Sequence, residues 1–499
     1  MFKNLSILAV TAASTIAFAM ALLPSLAQSK KDSVVIGMTL EPPGLDPTTA
    51  AAAAIAEVTL YNVYEPLTKI NEDGSVAPLL ADSWQASPDL KTYTFKLRKG
   101  VKFQNGEPFD SAAVKFSFER AAAPASTNKD KSLFQSFESV SAPDADTVVI
   151  ALKYSEPNLP FLLGQASASI IEQKSAPTDA TQPVGTGPYT LGAWTKGSSI
   201  TLAKWPDYRN AGAIKLAKVT IRFISDPAAQ IAALLSGDVD AFPRVTARSL
   251  AQFKSDPRFK VLIGGSRAKT IVGINERHKP LDDVRVRRAI VAAIDRKAMI
   301  EGAVDGFGVP IGSFYAPGSL GYVDTTGINP YDPEKAKKLL AEAGVATPIE
   351  LTLKLPPPPY ARQGGEILVA QLAKVGIVAK IENVEWAQWL SQVYTGPHNY
   401  DLTIVSHVEP FDLVKLTESD FYLGYKSDAF NALYKSIMTT PAEAERAKLL
   451  GDAQRMLATD AVAGFMFQPQ WVTITSKRLK GVWQEVPQFE NDFSAWSWE

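Results

Sequence analysis

The run IELTLKL (349–355), EILVAQLAKV (366–375), VAKI (378–381), WAQWLSQVY (386–394) and YDLTIVS (400–406) decides the fold. Its first, third and fifth pieces are short aliphatic and β-branched runs that read as strands. The second and fourth carry apolar residues at helical spacing. Strands alternating with helices of about ten residues predict a largely parallel sheet with both faces covered, so the fold class is α/β. Pro356 to Pro359 form a stiff segment, read as a fixed loop entering the next helix.

The same grammar extends upstream. Asp226-Pro227 supplies an N-cap and a pre-set first residue, Ile231, Leu234 and Leu235 form an apolar stripe, and Gly237 stops the helix. Asp332-Pro333 repeats the device, with Leu339 and Leu340 inward and Gly344 after the last turn. Residues 283–304 are expected to form one amphipathic helix with Val286, Ala289, Ile290, Ala293 and Ile294 on the buried face. Arg285, Arg288 and Arg296 fall on the other face; a phosphate site is conceivable, but a solvated face paired with Asp282, Asp283 and Asp295 is the simpler reading. Further strands are expected at Val34–Met38, Tyr93–Leu97, Thr147–Leu152, Ser199–Ala203 and Lys218–Ile224. In the second of these Tyr93, Phe95 and Leu97 alternate with Thr94 and Lys96, giving one buried and one wet face. Residues 70–180 are strand-rich, with Pro-rich turns and little helical period.

At roughly 100–200 residues per domain, 499 residues mean two to four domains. Lys and Arg number 51 against 52 Asp and Glu, a net charge of −1. That balance argues against a nucleic-acid binder, which needs a cationic excess. There is no cysteine, which removes thiol nucleophiles, thiolate metal sites and disulfides together. Only His278, His398 and His407 are present, so a histidine-rich metal centre is not expected, and no cofactor is implied.

Lys3, the apolar run Leu5–Leu23, Pro24 and the Ser25-Leu26-Ala27 tripeptide read as an export signal spanning 1–27 and cleaved after Ala27; an uncleaved membrane anchor is the alternative. An exported, cysteine-free chain fits a bacterial periplasm. Catalytic motifs with mechanical content (G-x-S-x-G, H-E-x-x-H, G-x-x-x-x-G-K-[ST], the EF-hand loop) are missing. Gly185-Thr186-Gly187-Pro188 resembles the start of a dinucleotide turn but lacks the third glycine, and reads as a tight structural crossover.

Three longer motifs, PLLADSW (78–84), YTFKLRKGVKF (93–103) and NGEPF (105–109), closely resemble the bacterial family 5 extracellular solute-binding proteins, the dipeptide-, oligopeptide- and nickel-binding components of ABC importers. YEPL (64–67), PVGTGPY (183–189), DDVRVR (282–287) and YDPEKA (331–336) match in the family's order, over essentially the whole chain after residue 27. The resemblance implies a class II periplasmic-binding-protein fold with two lobes and an inserted domain. Domain I would comprise 28–65, 185–272 and 476–499, domain II the strand-rich insertion 66–184, and domain III residues 273–475. It also implies a non-enzymatic monomer that closes on a small-molecule solute and docks on an inner-membrane ABC permease with its ATPase subunits.

The resemblance also directs attention to particular residues. Where the family's peptide binders carry a Gly-Trp segment and an Asp that grips the peptide ammonium, this chain has SHVEPFD (406–412): His407 stands for the Trp, and Glu409 or Asp412 can take the carboxylate role. The position of an Arg for the peptide carboxylate falls near Leu355, leaving Arg362 or Arg267 to supply a cation. Trp386 matches a cleft-facing family Trp and reads equally as a core residue beside Trp389. Ala51 and Ala53, in a five-alanine run, lie where relatives bring backbone to the ligand. Tyr315 and Tyr360 complete the candidates. The expected solute is a peptide or peptide-like molecule, with an opine or small oligosaccharide as alternative; from another class, a secreted two-carboxylate hydrolase remains open.

Overall fold

A computed structural model describes residues 31–50, 52–245 and 250–499; the export signal and Ala51 lie outside the described residues. In the deciding stretch, strands Ile349–Leu355, Ile377–Asn383 and Leu402–His407 are mutually parallel, with Leu353 opposite both Ile381 and Leu402. The helix after the first strand is Pro359–Ala373, seven residues earlier than Glu366. Pro359 can begin a helix because its fixed φ suits the first turn and its missing N–H would be unpaired there anyway. No helix among the described residues is long and apolar enough to cross a membrane.

The single helix expected at 283–304 is two: Val284–Ala293 and Arg296–Ala303. Asp295 breaks it by taking the N-cap of the second, accepting from the backbone N–H of Lys297 and Ala298, while Ile294 is extended. Arg296 is consequently turned inward, not onto a solvated face. It is buried and donates to the carbonyls of Phe465 (2.8 Å), Ile311 (3.1 Å) and Asn329 (3.2 Å). Arg285 does pair with Asp283 at the surface, at 2.6 Å.

One hydrogen-bonded path runs through two sheets. In order it comprises Ile377–Asn383, Ile349–Leu355, Leu402–His407, Lys269–Ile274, Ala463–Ser476, Ala241–Phe242, Ser33–Met38, Lys218–Phe223, Ser199–Lys204 and Tyr189–Thr195. The long strand Ala463–Ser476 belongs to both halves. Its first part pairs with Lys269–Ile274 and Gly308–Pro310; from Gln470 onward it pairs with Phe259–Gly265 and Ala241–Phe242. The chain therefore crosses between the halves at Ser266–Ala268 and again near Gln468–Gln470. Separate apolar clusters cover the sheet faces of the two halves.

Residues 81–152 form a separate antiparallel sheet, ordered Ala81–Ala86, Thr92–Leu97, Thr147–Leu152, Phe137–Asp144. Tyr93, Phe95 and Leu97 point into its core with Val114 and Phe118 of helix Ser111–Ala122, and Lys96 is exposed, as the alternation requires. The chain leaves this unit through Gly185-Thr186-Gly187. A Cβ on Gly185 would lie 1.9 Å from the Val63 carbonyl oxygen, and one on Gly187 2.4 Å from that of Asn62. The glycine pair serves close backbone packing, the structural reading of that motif. Beside it Thr186 and Arg209 both bind buried Glu65, the guanidinium through two bonds of 2.6 and 2.7 Å.

Candidate functional site

The C-terminal ends of parallel strands are where open α/β sheets bind ligands. In the second half that edge carries Leu355 and His407, with Lys269 opposite His407 on the antiparallel neighbour. In the first half it carries Met38, Phe223 and Phe242, and Ile474 lies opposite Phe242. Because Thr270 pairs with Phe467, residues 468–473 run from one edge to the other, so both edges meet at the crossing. A cavity of about 440 Å³ opens there, lined by Asp73, Arg267, Gly318, Gln468, Gln470 and Glu485, and its size is in the range of small-molecule sites.

The sheet edge of the second half carries a buried polar cluster. Lys269, 2% exposed, donates to an Asp412 carboxylate oxygen at 2.8 Å and to the Glu409 carbonyl at 2.5 Å, with its ammonium 5.3 Å from the Phe314 ring. His407 shares a 2.8 Å hydrogen bond with the Tyr422 hydroxyl, stacks on that ring and meets the Phe314 ring at a tilt, centroids 4.9 Å apart. Its Nδ1 lies 3.6 Å from the second Asp412 oxygen, which has no hydrogen-bond partner. Burial, then the Lys269 charge, pushes the imidazole down to about 3, so it is neutral at pH 7. Burial pushes Asp412 up to about 6 against the pull of Lys269. His407, Glu409 and Asp412 present ligand atoms within 4.8 Å of one another, a spacing a metal could use, but the Lys269 ammonium already supplies the positive charge at this cluster. Phe161, beyond the separate antiparallel sheet in sequence, meets Phe411 of the loop carrying this cluster edge-to-face at 5.0 Å.

Beside the sheet edge of the first half lie unpaired groups. Arg244 pairs with Glu57 of helix Ala53–Thr59, and Lys69 pairs with Asp492. Between them Glu490, 5% exposed, has neither carboxylate oxygen hydrogen-bonded. The indole N–H of Trp471 is buried and also unpaired, its ring edge-to-face with Phe489 at 5.8 Å.

Of the candidates named from sequence, His407, Glu409 and Asp412 come together, Glu409 through its backbone while its side chain is exposed. Tyr315 is buried, and burial followed by the Asp412 charge raises its hydroxyl above the usual range. Trp386 is 41% exposed and stands edge-to-face on Trp389; the core residue is Trp389, 3% exposed, its indole donating to Thr403 at 2.9 Å. Tyr360 accepts the Ser406 N–H at 3.2 Å beneath the same edge. Arg362 lies 3.4 Å from Glu385, away from the Lys269 cluster. Arg267 sits in the crossing, donates to the Gly318 carbonyl and lies against Gly74 of the insertion. Ala53 is exposed in the first turn of its helix.

Lys269, Tyr422, Arg244, Trp471 and Glu490 escaped sequence reasoning. Lys269 had a usable signal, since a lone lysine heading the apolar strand KTIVGI must find a carboxylate if buried. Glu490 had none: a carboxylate between Phe489 and Asn491 reads as surface.

Comparison with known proteins agrees with this architecture. Residues 75–411 match the family model described as bacterial extracellular solute-binding proteins, family 5 Middle. The glutathione-binding protein GsiB of Escherichia coli O157:H7 is 31% identical over 385 residues, covering 75% of this chain and 74% of that one. Its counterpart in Salmonella paratyphi A is 31% identical over 391 residues, covering 77% and 75%. Among solved structures, the binding protein AgaA of A. tumefaciens R10 in complex with agropinic acid superposes with TM-score 0.75 at 26% identity, over 94% of this chain and 99% of that one. DppA of Helicobacter pylori in complex with the peptide STSA gives TM-score 0.77 at 25% identity, over 94% and 98%. With a matched family model spanning most of its length, full-length structural likeness and two sheet edges meeting at a double crossing, the chain belongs to the bacterial extracellular solute-binding proteins, family 5.

Proposed function

We propose that this substrate-binding component of an ABC importer captures a peptide-like solute (a short peptide, a γ-linked conjugate such as glutathione, or an opine) between its two sheet edges. The observation that carries the reading is the double crossing at Ser266–Ala268 and Gln468–Gln470, the only β-ladder path between the halves among the described residues. Two short connections leave the halves free to pivot, and a solute touching both edges stabilises the closed population. The relatives named for glutathione, agropinic acid and a tetrapeptide support a modest-sized solute with amide and carboxylate groups. The crossings support a division of the lobes near residues 266–268 and 468–470, about six residues before the 272/273 and 475/476 junctions expected from sequence, and residues 66–184 are read as the insertion. The protein works as a monomer in the periplasm after cleavage following Ala27, delivers its solute to a permease and changes no covalent bond.

The test is a thermal-shift panel of di- to pentapeptides, glutathione, opines and small oligosaccharides. A specific solute at 100 times its dissociation constant adds about 2.7 kcal/mol of stability. Shifts with oligosaccharides alone would reject the peptide-like assignment, and turnover of any solute by pure protein would reject binding without chemistry.

A further inference from the structure

The two sheet edges differ in how the carboxylates beside them are satisfied. On the second half, Asp412 already has a cation of the chain's own, Lys269 at 2.8 Å. On the first half, three acidic groups, Glu57, Glu490 and Asp492, face two cations, Arg244 and Lys69, each bound to another partner, so Glu490 is left without a counter-ion and burial pushes its carboxyl well above the usual range. Both its oxygens are buried without a hydrogen bond. They border a cavity of about 20 Å³ shared with Arg244, Gln488 and Asp492, room for one group the size of a water or an ammonium nitrogen. A buried carboxylate with no partner is costly and persists when a ligand completes it. Its place supports that reading: Arg244 follows the C-terminal end of strand Ala241–Phe242, at the edge where a solute docks. The unpaired Trp471 indole N–H, on the crossing strand, faces the same shortage with the opposite sign and suits a solute carbonyl or carboxylate.

We propose that Glu490 receives the ammonium group of the solute, so that amine recognition in this chain is built on the first half and not on the His407–Asp412 loop. The inference rests on the solute-capture reading and deepens it: the solute carries a primary amine that fits one atom deep beside Glu490. A guanidinium or a quaternary amine is too large for that space.

The test measures affinities of the native protein and of Glu490→Gln for Ala-Phe, glutathione and their N-acetylated forms, with mass spectrometry of any solute released from native protein on denaturation. A solute that binds native protein is expected to lose at least tenfold in affinity both on N-acetylation and in Glu490→Gln. Solute-free Glu490→Gln should melt close to native protein, because burial already pushes the solute-free carboxyl toward its neutral form and a neutral amide of the same size replaces it. Equal affinity in the variant, equal binding of the acetylated form, or a variant melting well below native protein overturns the assignment. A released solute with no basic nitrogen overturns it too, while leaving solute capture intact. A native protein that binds no panel member and releases nothing counts against both.

Discussion

Replacing Asp412 by Asn tests the buried Lys269–Asp412–His407 cluster through its pH dependence. Folding moves the Asp412 carboxyl from 3.8 to about 6 and the His407 imidazole from 6.5 to about 3. The raised acid contributes stability that is complete below pH 3.8 and lost as pH rises through about 6. The depressed base contributes stability present above pH 6.5 and lost as pH falls through about 3. Near pH 5 the native cluster carries one proton, on Asp412, and the unfolded chain also carries one, on His407. The two linkages therefore nearly cancel, and this cluster adds almost no slope to stability between pH 4 and 6. Asp412→Asn removes one side of that balance. At about 1.4 kcal/mol per pH unit for one proton, the variant should lose about 2 kcal/mol more than native protein on going from pH 6 to pH 4. At pH 7.5 it should already be about 3 kcal/mol less stable, because Lys269 is left buried without its counter-ion. Urea unfolding at pH 4, 5, 6 and 7.5, with equal m-values, reads both numbers, and other titrating groups cancel in the native-minus-variant difference. Parallel pH profiles for the two proteins would refute the assignment of a neutral His407 beside a protonatable Asp412.

Three further perturbations separate neighbouring residues. Trp389→Ala should cost about 3–5 kcal/mol in urea unfolding, since it empties a core site and removes the indole donor to Thr403, whereas exposed Trp386→Ala should change stability by under about 0.5 kcal/mol; reversed values would exchange their roles. Gly187→Ala should cost about 3 kcal/mol, because its methyl group meets the Asn62 carbonyl at 2.4 Å and backbone must shift to admit it; an unchanged urea midpoint would show that this approach is looser than described. Arg296→Met should cost about 3 kcal/mol by taking the guanidinium donors from three carbonyls, with little salt dependence since no carboxylate is lost, while surface Arg285→Met should stay within about 0.5 kcal/mol.

The local elements were legible where pattern and punctuation agree. Strand Thr147–Leu152 and the helices opened by Asp226-Pro227 and Asp332-Pro333 stand where caps, prolines and glycines put them. The break at Asp295 escaped because apolar spacing continues smoothly across it; an N-cap inside such a run looks like any other polar residue until the backbone turns. The same turn sent Arg296 inward. Around the Lys269 cluster, strand position put His407 at a sheet edge and the family resemblance singled out Asp412. Their chemistry was not legible, because it depends on Lys269 about 140 residues away.

The sequence by itself determined the alternation of strands and helices, the strand-rich character of residues 81–152 and the glycine-bearing crossover, since each rests on residues that are neighbours in the chain. Only the tertiary structure decided which carboxylates are paired. Burial and charge partnership are set by residues far apart in sequence: Lys269 satisfies Asp412 on one sheet edge, while on the other Arg244 and Lys69 are drawn to Glu57 and Asp492, leaving Glu490 alone.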